Sequence, residues 1–344
     1  MSSASSQPSP GLDPQRMLFE LATAHRPVAC LHVAAKLKVA DFLAAGPRSA
    51  AELAASTGAN EDALYRILRA LASLGVFREA APRTFANTPM SEALRSDAPD
   101  SVRDAVLFMS SPMHMRVFTE LQHCAATGET ALKKALGMEA FEYFRQNPAE
   151  SQTFNAAMTS ISAQMTPPAI AAYDFGESGT LADIGGGHGA LLTMILQKHH
   201  GLRGIVCDAP HVVEGAKPRI ESLGLASRCQ TAGVDFFESV PPADSYVMKS
   251  VIHDWDDARS ITILKNCARA MRNPDGKVLL IELMITPGNE PDMAKWLDIE
   301  MLAMAGGRER TEAEFAELFS KAGLRLSRVV RAASPFCVIE AVKA

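Results

Sequence analysis

The second half of the chain alternates between short apolar runs and helix-like segments, and this alternation constrains the fold most strongly. From Gly179 onwards, runs such as "GTLADIGGG", "RGIVCDAP", "DSYVMKSVI" and "KVLLIEL" are separated by amphipathic stretches such as "DARSITILKNCARAM". Repeated strand–helix units predict a parallel sheet with helices on both faces. The runs are continuously apolar, which is typical of strands covered on both sides. We therefore predict a doubly wound, Rossmann-like α/β domain over residues 176–344. Its seven strands end in an antiparallel hairpin made of "LRLSRVVRA" and "PFCVIEAVKA".

A glycine-rich loop follows the first of these strands. Gly185, Gly187 and Gly189 stand between a strand and a helix in "LADIGGGHGALL", and Asp208 ends the next strand 23 residues after Gly185. Such a loop lets a ligand approach the backbone, and an acidic residue in that place accepts hydrogen bonds from ribose hydroxyls. The dinucleotide spacing Gly-x-Gly-x-x-Gly is met only as a variant with Ala190. The denser glycine spacing favours a ligand made of an amino acid and adenosine, and a nicotinamide dinucleotide remains the alternative.

A histidine followed by carboxylates comes after another strand, in "YVMKSVIHDWDD". Because ligands in open α/β sheets bind at the carboxyl ends of the strands, we expect His253 beside the glycine loop, where histidine is suited to act as a general base. A second interpretation is a divalent metal site made of His253, Asp254, Asp256 and Asp257. However, Asp256 and Asp257 are also suited to begin the next helix. We therefore predict a base and no metal, with no role assigned to Asp254.

The first hundred residues are predicted to form helices and a winged helix. The stretch "PVACLHVAAKLKVADFLAAG" has the apolar spacing of one helix. Ser49 and Asn60 are predicted to cap the next two helices, and "VFREAAPRTFANT" is predicted to form a hairpin. Residues 1–100 contain ten Lys and Arg against ten Asp and Glu, whereas a DNA-binding module presents a basic face. We therefore expect a packing module whose apolar first helix suits a dimer interface.

Composition indicates the remaining boundaries. The polar start "MSSASSQPSPG" predicts a disordered tail over residues 1–16, followed by the winged-helix domain at 17–100. Residues 101–175 are predicted to be a helical connector, rich in Met and Phe, that contributes to a pocket for a flat aromatic ligand. The "TPP" at Thr166–Pro168 is expected to break this connector into separate helices.

The net charge of −5 and the lack of a long apolar run give no reason to expect nucleic-acid or membrane partners. Six scattered cysteines predict free thiols in the cytoplasm.

Several motifs together carry a resemblance to a known family. "LADIGGGHGALL", "CDAPHVV", "GVDFFESVPPADSYVMKSVIHDWDD" and "GGRERTEAEF" occur in the order and spacing of the S-adenosylmethionine-dependent O-methyltransferases of the caffeate, hydroxyindole and polyketide type. The N-terminal "VADFLAAGPRSAAELAASTG" resembles the dimerisation domain of that family, which is a winged helix not used on DNA. The resemblance implies a homodimer that methylates a hydroxyl of an aromatic small molecule without a metal.

One group of residues is implied by the resemblance to hold S-adenosylmethionine: Gly185, Gly187, Gly189, Asp208, Asp235, Phe236 and Lys249. In that arrangement the glycines face the methionine part, the aspartate at 208 binds the ribose, and Asp235 and Phe236 contact the adenine. The family usually has Gly-Asp before this phenylalanine, whereas here Val234 stands between Gly233 and Asp235.

A second group is implied to carry the reaction. His253 is the base that takes the proton of the acceptor hydroxyl, and Glu282 and Glu309 orient it and favour the imidazolium. For Glu309 the alternative is a surface ion pair with Arg308 or Arg310. The residues implied to border the acceptor are Met158, Met301 and Met304. Two other functions stay open: a nicotinamide-dependent oxidoreductase and a ligand-sensing winged-helix DNA regulator.

Overall fold

A computed structural model describes residues 13–344, so the predicted tail lies mostly outside the described residues. The chain divides into two compact units. Within the described residues, one contains residues 13–115 together with Ala149–Ile161, and the other contains Arg116–Pro148 and Ser162–Ala344. The first helix begins at Pro14, where the Asp13 side chain accepts a hydrogen bond from the backbone N–H of Gln15. The tail boundary predicted at residue 16 therefore falls inside this helix.

The first unit contains the predicted winged helix. Its elements are α1 (Pro14–Ala22), α2 (His25–Lys36), α3 (Val39–Phe42), β1 (Arg48–Ser49), α4 (Ala50–Thr57), α5 (Glu61–Ser73), β2 (Phe77–Ala81), β3 (Thr84–Asn87), α6 (Pro89–Glu92) and α7 (Arg103–Met109). The three strands form an antiparallel sheet in the order β1–β3–β2. Ser49 caps α4 in a capping box with Glu52, and Asn60 caps α5. These caps and the β2–β3 hairpin confirm the local predictions.

The stretch from Pro27 to Gly46, expected to be one helix, is divided into α2 and α3. Lys38 lies between them in the left-handed conformation, with φ of 55°. The turn places Val39 and Ala40 in the core of this unit, where both are buried. The prediction of a single helix was wrong because neither glycine nor proline marks this turn, and the burial of two apolar residues offsets the cost of a left-handed lysine.

Further helices connect the winged helix to the large sheet: α8 (Pro112–Phe118), α9 (Leu121–Thr127), α10 (Ala131–Leu136), α11 (Ala140–Gln146) and α12 (Pro148–Ala172). The predicted helix break at Thr166–Pro168 is wrong, because α12 continues through Pro167 and Pro168. Proline removes two N–H donors from the helix. The last turn is nevertheless held by burial, since Ala169 and Ile170 pack into the apolar core on one face of the sheet.

The second unit is built on the predicted sheet. Its further elements are β4 (Gly179–Ile184), α13 (Ala190–Lys198), β5 (Leu202–Asp208), α14 (Pro210–Val213), α15 (Lys217–Ser222), β6 (Cys229–Gly233), β7 (Ser245–Lys249), α16 (Asp257–Ala270), β8 (Lys277–Ile285), α17 (Met293–Met304), β9 (Arg310–Thr311), α18 (Glu312–Lys321), β10 (Leu324–Arg331) and β11 (Phe336–Lys343). Short 3₁₀ turns occupy Glu214–Ala216 and Ile252–Asp254.

Seven strands follow the order β10–β11–β8–β7–β4–β5–β6, and the two-residue β9 pairs with the end of β8 as an eighth strand that was not predicted. The pairs β10–β11 and β11–β8 are antiparallel, and the other main-path pairs are parallel. From β4 the chain first extends the sheet on one side through β5 and β6 and then on the other through β7 and β8. The strand order therefore reverses between β4 and β7, where ligands of such sheets bind. Within the described residues, no helix has the length and apolarity needed to span a bilayer.

Candidate active site

The glycine loop after β4 has the conformation and the space that ligand binding at a strand edge requires. Gly185, Gly187 and Gly189 have φ values of 70°, 55° and 75°, which L-residues adopt rarely. A Cβ on Gly185 would lie 2.7 Å from Val251, in the segment after β7, whereas a Cβ on Gly187 would meet no atom within 4 Å. The loop is therefore packed against the neighbouring strand end at Gly185 and open at Gly187.

The predicted nucleoside-binding residues gather at the same edge of the sheet. Asp208 ends β5 and accepts a hydrogen bond from the backbone N–H of Gly187 at 2.8 Å. Its backbone oxygen accepts from Val234 at 2.9 Å, which brings Asp235 and Phe236 to the next strand end. The inserted Val234 is thus absorbed by strand pairing. The open face over Gly187 and the carboxylate of Asp208 fit a polar ligand that contains a ribose.

Trp255 adds an aromatic wall that the sequence did not predict. Its ring lies 4.9 Å from that of Phe237 and 6.3 Å from that of Phe236, measured between centroids, with edge-to-face geometry in both cases. Asn266 donates to the backbone oxygens of Phe236 and Phe237 at 2.9 Å each and so fixes this turn. Three aromatic side chains in one cluster suit a flat ring such as adenine.

Beneath the loop lies a buried carboxyl group, Asp183, and the half-buried Lys249 is close enough to act on it electrostatically. Asp183 is 1% exposed, and its Oδ2 atom has no hydrogen-bond partner in the described part of the chain. Burial raises the pKa of Asp183 to about 7, against the opposing influence of Lys249. Lys249 ends β7 and donates to the Ser162 hydroxyl at 3.0 Å, and burial lowers the pKa of its ammonium group. Lys249 therefore lies at the base of the predicted cofactor site.

The chain turns sharply between β7 and His253. Ser250 has φ of 53°, which is uncommon for a residue other than glycine. After this turn the backbone N–H groups of Val251 and Ile252 both donate to Glu282 Oε1, at 3.1 and 3.0 Å. Glu282 lies on β8 and is fully buried. It therefore anchors the backbone that carries His253, in addition to facing the imidazole.

His253 is held by carboxylates that are distant in sequence. Its Nδ1 lies 2.7 Å from Glu309 Oε1, a hydrogen-bond distance, and 3.9 Å from Glu282 Oε2. Its Nε2 lies 3.5 Å from Asp254 Oδ1. Burial lowers the pKa of His253, but the charges of Glu282, Asp254 and Glu309 outweigh burial and raise the pKa to about 10. Burial raises the pKa of Glu282 in turn, although the charge of His253 opposes this.

The loop before β9 brings Glu309 to His253. A Cβ on Gly307 would lie 1.9 Å from the backbone oxygen of His253, so only glycine allows this approach. That oxygen accepts a hydrogen bond from the N–H of Arg308 at 2.8 Å, and Asp298 on α17 accepts from the N–H of Glu309 at 2.9 Å. Gly307, Arg308 and Asp298 therefore fix the backbone on both sides of the His253–Glu309 pair.

Two of the four residues of the sequence-adjacent metal interpretation, Asp256 and Asp257, make other contacts. Asp256 caps α16 by accepting from the N–H of Arg259, and Asp257 pairs with Arg310 at 2.8 Å. Since Arg310 is buried against Asp257 and Glu309 is buried beside His253, the alternative of a surface pair involving Glu309 is wrong.

In the part of the chain that the structure describes, the residues whose possible metal-binding atoms converge, all within 4.8 Å, are His253, Glu282 and Glu309. The two Glu282 hydrogen bonds to backbone and the short Glu309–imidazole contact explain this cluster as a histidine held by carboxylates.

The three methionines predicted to border the acceptor do not all lie in the same unit. Met301 and Met304 are buried on α17, the helix whose Asp298 anchors the backbone of Glu309. Met158 is half-buried on α12 and belongs to the first unit. Only the first two therefore lie in the unit that contains His253.

Five residues of this site were missed by sequence reasoning: Asp183, Trp255, Asp298, Gly307 and Arg310. Asp183 could have been found, because it stands two residues before the first glycine of the loop, on a strand predicted to be covered on both faces. The glycine pair at 306–307 was a signal for close backbone approach. No local pattern distinguishes Asp298 or Arg310 from a surface charge.

Comparison with known proteins gives a consistent result. Residues 118–325 match the O-methyltransferase domain, and residues 19–97 match the O-methyltransferase dimerisation domain. The phenazine O-methyltransferase PhzM of Lysobacter antibioticus is 42% identical over 326 residues, covering 94% of this chain and 95% of that protein. The mitomycin biosynthesis 6-O-methyltransferase of Streptomyces lavendulae is 39% identical over 315 residues, covering 90% and 89%. Among solved structures, the O-methyltransferase NcsB1 from neocarzinostatin biosynthesis, in complex with S-adenosylmethionine and 2-hydroxy-5-methyl naphthoic acid, has a TM-score of 0.82. It is 34% identical and covers 98% of this chain and 100% of that chain.

Proposed function

Because this chain belongs to the S-adenosylmethionine-dependent O-methyltransferases, we propose that it methylates a phenolic hydroxyl of an aromatic small molecule with His253 as the general base. The observation that carries this proposal is the 2.7 Å contact between His253 Nδ1 and Glu309. This contact occupies Nδ1, and we propose that the acceptor hydroxyl meets Nε2, beside which Asp254 Oδ1 lies at 3.5 Å. These relatives are methyltransferases, rather than nicotinamide-dependent oxidoreductases or DNA-binding regulators.

The cofactor is S-adenosylmethionine, which supplies an electrophilic methyl group on a sulfonium. We propose that Gly185, Gly187 and Gly189 lie against its methionine part and that Asp208 accepts hydrogen bonds from its ribose. The proposed adenine contacts are Asp235 and Phe236, with Trp255 behind the ring. Lys249 is proposed to contact the cofactor from below, because it ends β7 next to the buried Asp183.

The proton is proposed to move between two groups of similar proton affinity, the acceptor hydroxyl and Nε2 of His253. The pKa of a phenol is about 10, and the pKa of His253 is raised to about 10. Proton transfer from the hydroxyl to a deprotonated Nε2 therefore costs little free energy, but at pH 7 a base of this pKa must first lose its own proton. Since the imidazole of the free protein is protonated at pH 7, productive binding of a neutral phenol releases one proton to solvent.

The two glutamates are proposed to have different tasks. Glu309 accepts from Nδ1–H, fixes the tautomer that presents Nε2, and stabilises the imidazolium that forms. Glu282 acts mainly on the backbone, because its Oε1 accepts from Val251 and Ile252. We propose that this arrangement works without a metal ion.

We propose the domain organisation that the sequence predicted, with the first domain beginning at α1, since that helix starts at Pro14. The proposed parts are a dimerisation domain at 14–100, a helical connector at 101–175 and a catalytic domain at 176–344, with the acceptor bordered by Met158, Met301 and Met304. The exposed apolar side chains of α1, which are Leu18, Phe19 and Leu21, support burial in a homodimer. All six cysteines are free, which supports a reducing, cytoplasmic setting.

The decisive experiment replaces His253 by glutamine. The acceptor with the highest turnover in a screen of hydroxylated naphthalenes, phenazines and benzoates is assayed by product mass, alongside its nitro derivative whose hydroxyl is ionised at the assay pH. We expect His253→Gln to lower kcat on the neutral acceptor by about 100-fold or more and to affect the ionised acceptor much less. His200→Gln, an exposed histidine after α13, is the matched control. Near wild-type turnover of the neutral acceptor by His253→Gln would contradict the assignment of the base.

A further inference from the structure

Arg310 is a buried cation that lies where three catalytic segments meet. It is 1% exposed and is the largest of the fully buried side chains. Its backbone pairs with Met284, two residues beyond Glu282 on β8, and it directly follows Glu309. Its guanidinium extends to the segment that contains His253. A charged side chain is seldom buried so completely unless each donor has a partner.

The donors of Arg310 are directed at the backbone around His253. Its Nη1 donates to the oxygen of Ile252 at 3.1 Å, and its Nη2 donates to the oxygen of Trp255 at 2.9 Å. The same guanidinium pairs with Asp257 at the start of α16, at 2.8 Å. The oxygens of Ile252 and Trp255 belong to the residues before and after the His253–Asp254 pair. The planar guanidinium therefore spans the short turn that carries the base, with a geometry that lysine cannot reproduce.

This arrangement connects the position of His253 to that of Glu309. Arg310 directly follows Glu309 in the chain, and Arg308 on the other side of Glu309 donates its backbone N–H to the oxygen of His253. Moving residues 252–257 away from residues 308–310 would break hydrogen bonds of the buried Arg310 guanidinium, and such bonds are costly to lose. We infer that Arg310 is a positioning residue that fixes the His253 turn against the Glu309 loop, so that the imidazole and its carboxylate stay in hydrogen-bond contact during methyl transfer.

The inference rests on the proposed role of His253 as the base, and the experiment separates the two. Arg310→Met removes all donors and keeps an apolar stem, while Arg310→Lys keeps the charge without the planar fork. Arg325→Met, the same change at an exposed arginine on β10, is the control. Each variant is assayed as full-length protein on the neutral acceptor and on its ionised nitro derivative, and its affinity for S-adenosylhomocysteine is measured by calorimetry.

We expect Arg310→Met to lower kcat on the neutral acceptor by about 100-fold, the size of a displacement of about 1 Å in an active site. The loss on the ionised acceptor should be at least about tenfold smaller, with the affinity for S-adenosylhomocysteine within about twofold of wild type, since only proton removal needs the base. Arg310→Lys should follow the same pattern with a smaller loss, and it decides the question if Arg310→Met does not fold.

Equal losses on both acceptors would identify Arg310 as a residue of general stability and overturn the inference, as would unchanged kcat. If His253→Gln is selective for the neutral acceptor and the Arg310 variants are not, only the positioning role fails. If His253→Gln is not selective, the base assignment fails and the positioning role fails with it.

Discussion

Replacing Gly307 by alanine tests the geometry of the site without changing any charged or polar side chain. A Cβ at this position would lie 1.9 Å from the backbone oxygen of His253 and 2.6 Å from the backbone carbon of Asp254. Both neighbours are backbone atoms, so no side-chain rotation can relieve the contact. The loop that carries Glu309 and the turn that carries His253 must therefore move apart.

The size of the movement follows from these distances. Ordinary van der Waals contact of a Cβ begins at 3.4 Å, so the separation must grow by more than about 1 Å. The His253 Nδ1–Glu309 Oε1 distance of 2.7 Å then exceeds hydrogen-bond length. Loss of a hydrogen bond between charged groups costs about 1.5–3 kcal/mol, and a misplacement of this size in an active site lowers turnover by about 100-fold.

The assay measures kcat on the neutral acceptor, the affinity for S-adenosylhomocysteine, and the thermal midpoint. We expect kcat to fall by about 100-fold while cofactor affinity changes little, because Asp208 and the glycine loop lie on other strand ends. Overpacking should also cost about 1–3 kcal/mol of stability. A Gly307→Ala protein with kcat within about threefold of wild type would refute the reasoning, since the close approach would then have no part in holding the base.

Two further predictions concern proton affinity and cofactor binding. For a neutral phenol, kcat/KM should rise between pH 7 and 9. The pKa of His253 is about 10, so His253 is protonated at pH 7 and must lose this proton before it can take the proton of the phenol. Glu309→Gln removes a negative charge that raises the pKa of His253. The rising limb of the pH profile should therefore move to lower pH in this variant. An unchanged limb would contradict the role of Glu309. Asp208→Ala should weaken S-adenosylhomocysteine binding by about tenfold or more, through loss of a charged hydrogen-bond acceptor, with kcat at saturating cofactor changed much less. Unchanged affinity by calorimetry would exclude Asp208 as the ribose ligand.

The strand pattern predicted most of the sheet because it depends on local composition. Apolar runs bounded by turns correctly located the seven main strands, including the final hairpin, and β4 with its glycine loop lies where "LADIGGG" indicated. The eighth strand, Arg310–Thr311, was missed because two residues carry no periodicity. The turn at Lys38 and the continuity of α12 through Pro167 were missed because neither can be derived from the local sequence pattern. In both places burial overrides a local preference, and burial depends on residues far away in the chain.

The candidate site was predictable to a different degree for each of its parts. The strand reading alone placed His253 near the glycine loop, since both follow parallel strands. The contacts of Glu282 and Glu309 with His253 could not be derived from spacing, because they depend on which strands are neighbours in the sheet. The resemblance to a family nominated them, and the distances of 3.9 and 2.7 Å are consistent with that nomination. Gly307 and Asp298 act through backbone contacts that leave little trace in side-chain patterns.

The cluster around His253 brings two buried carboxyl groups to one imidazole, and burial raises the pKa of Glu282 to about 7. Glu282 and Glu309 are both buried, and each has one carboxylate oxygen, Oε2, without a hydrogen-bond partner in the described chain. An unsatisfied buried acceptor costs about 1–3 kcal/mol, and a smaller apolar pair would fold more easily at these positions. The structural duties of Glu282 need only its Oε1, which accepts from the two backbone N–H groups. The charges of Glu282 and Glu309 also raise the pKa of His253. We therefore propose that these two glutamates are kept for the reaction, because they hold the proposed base and raise its proton affinity at some cost in stability.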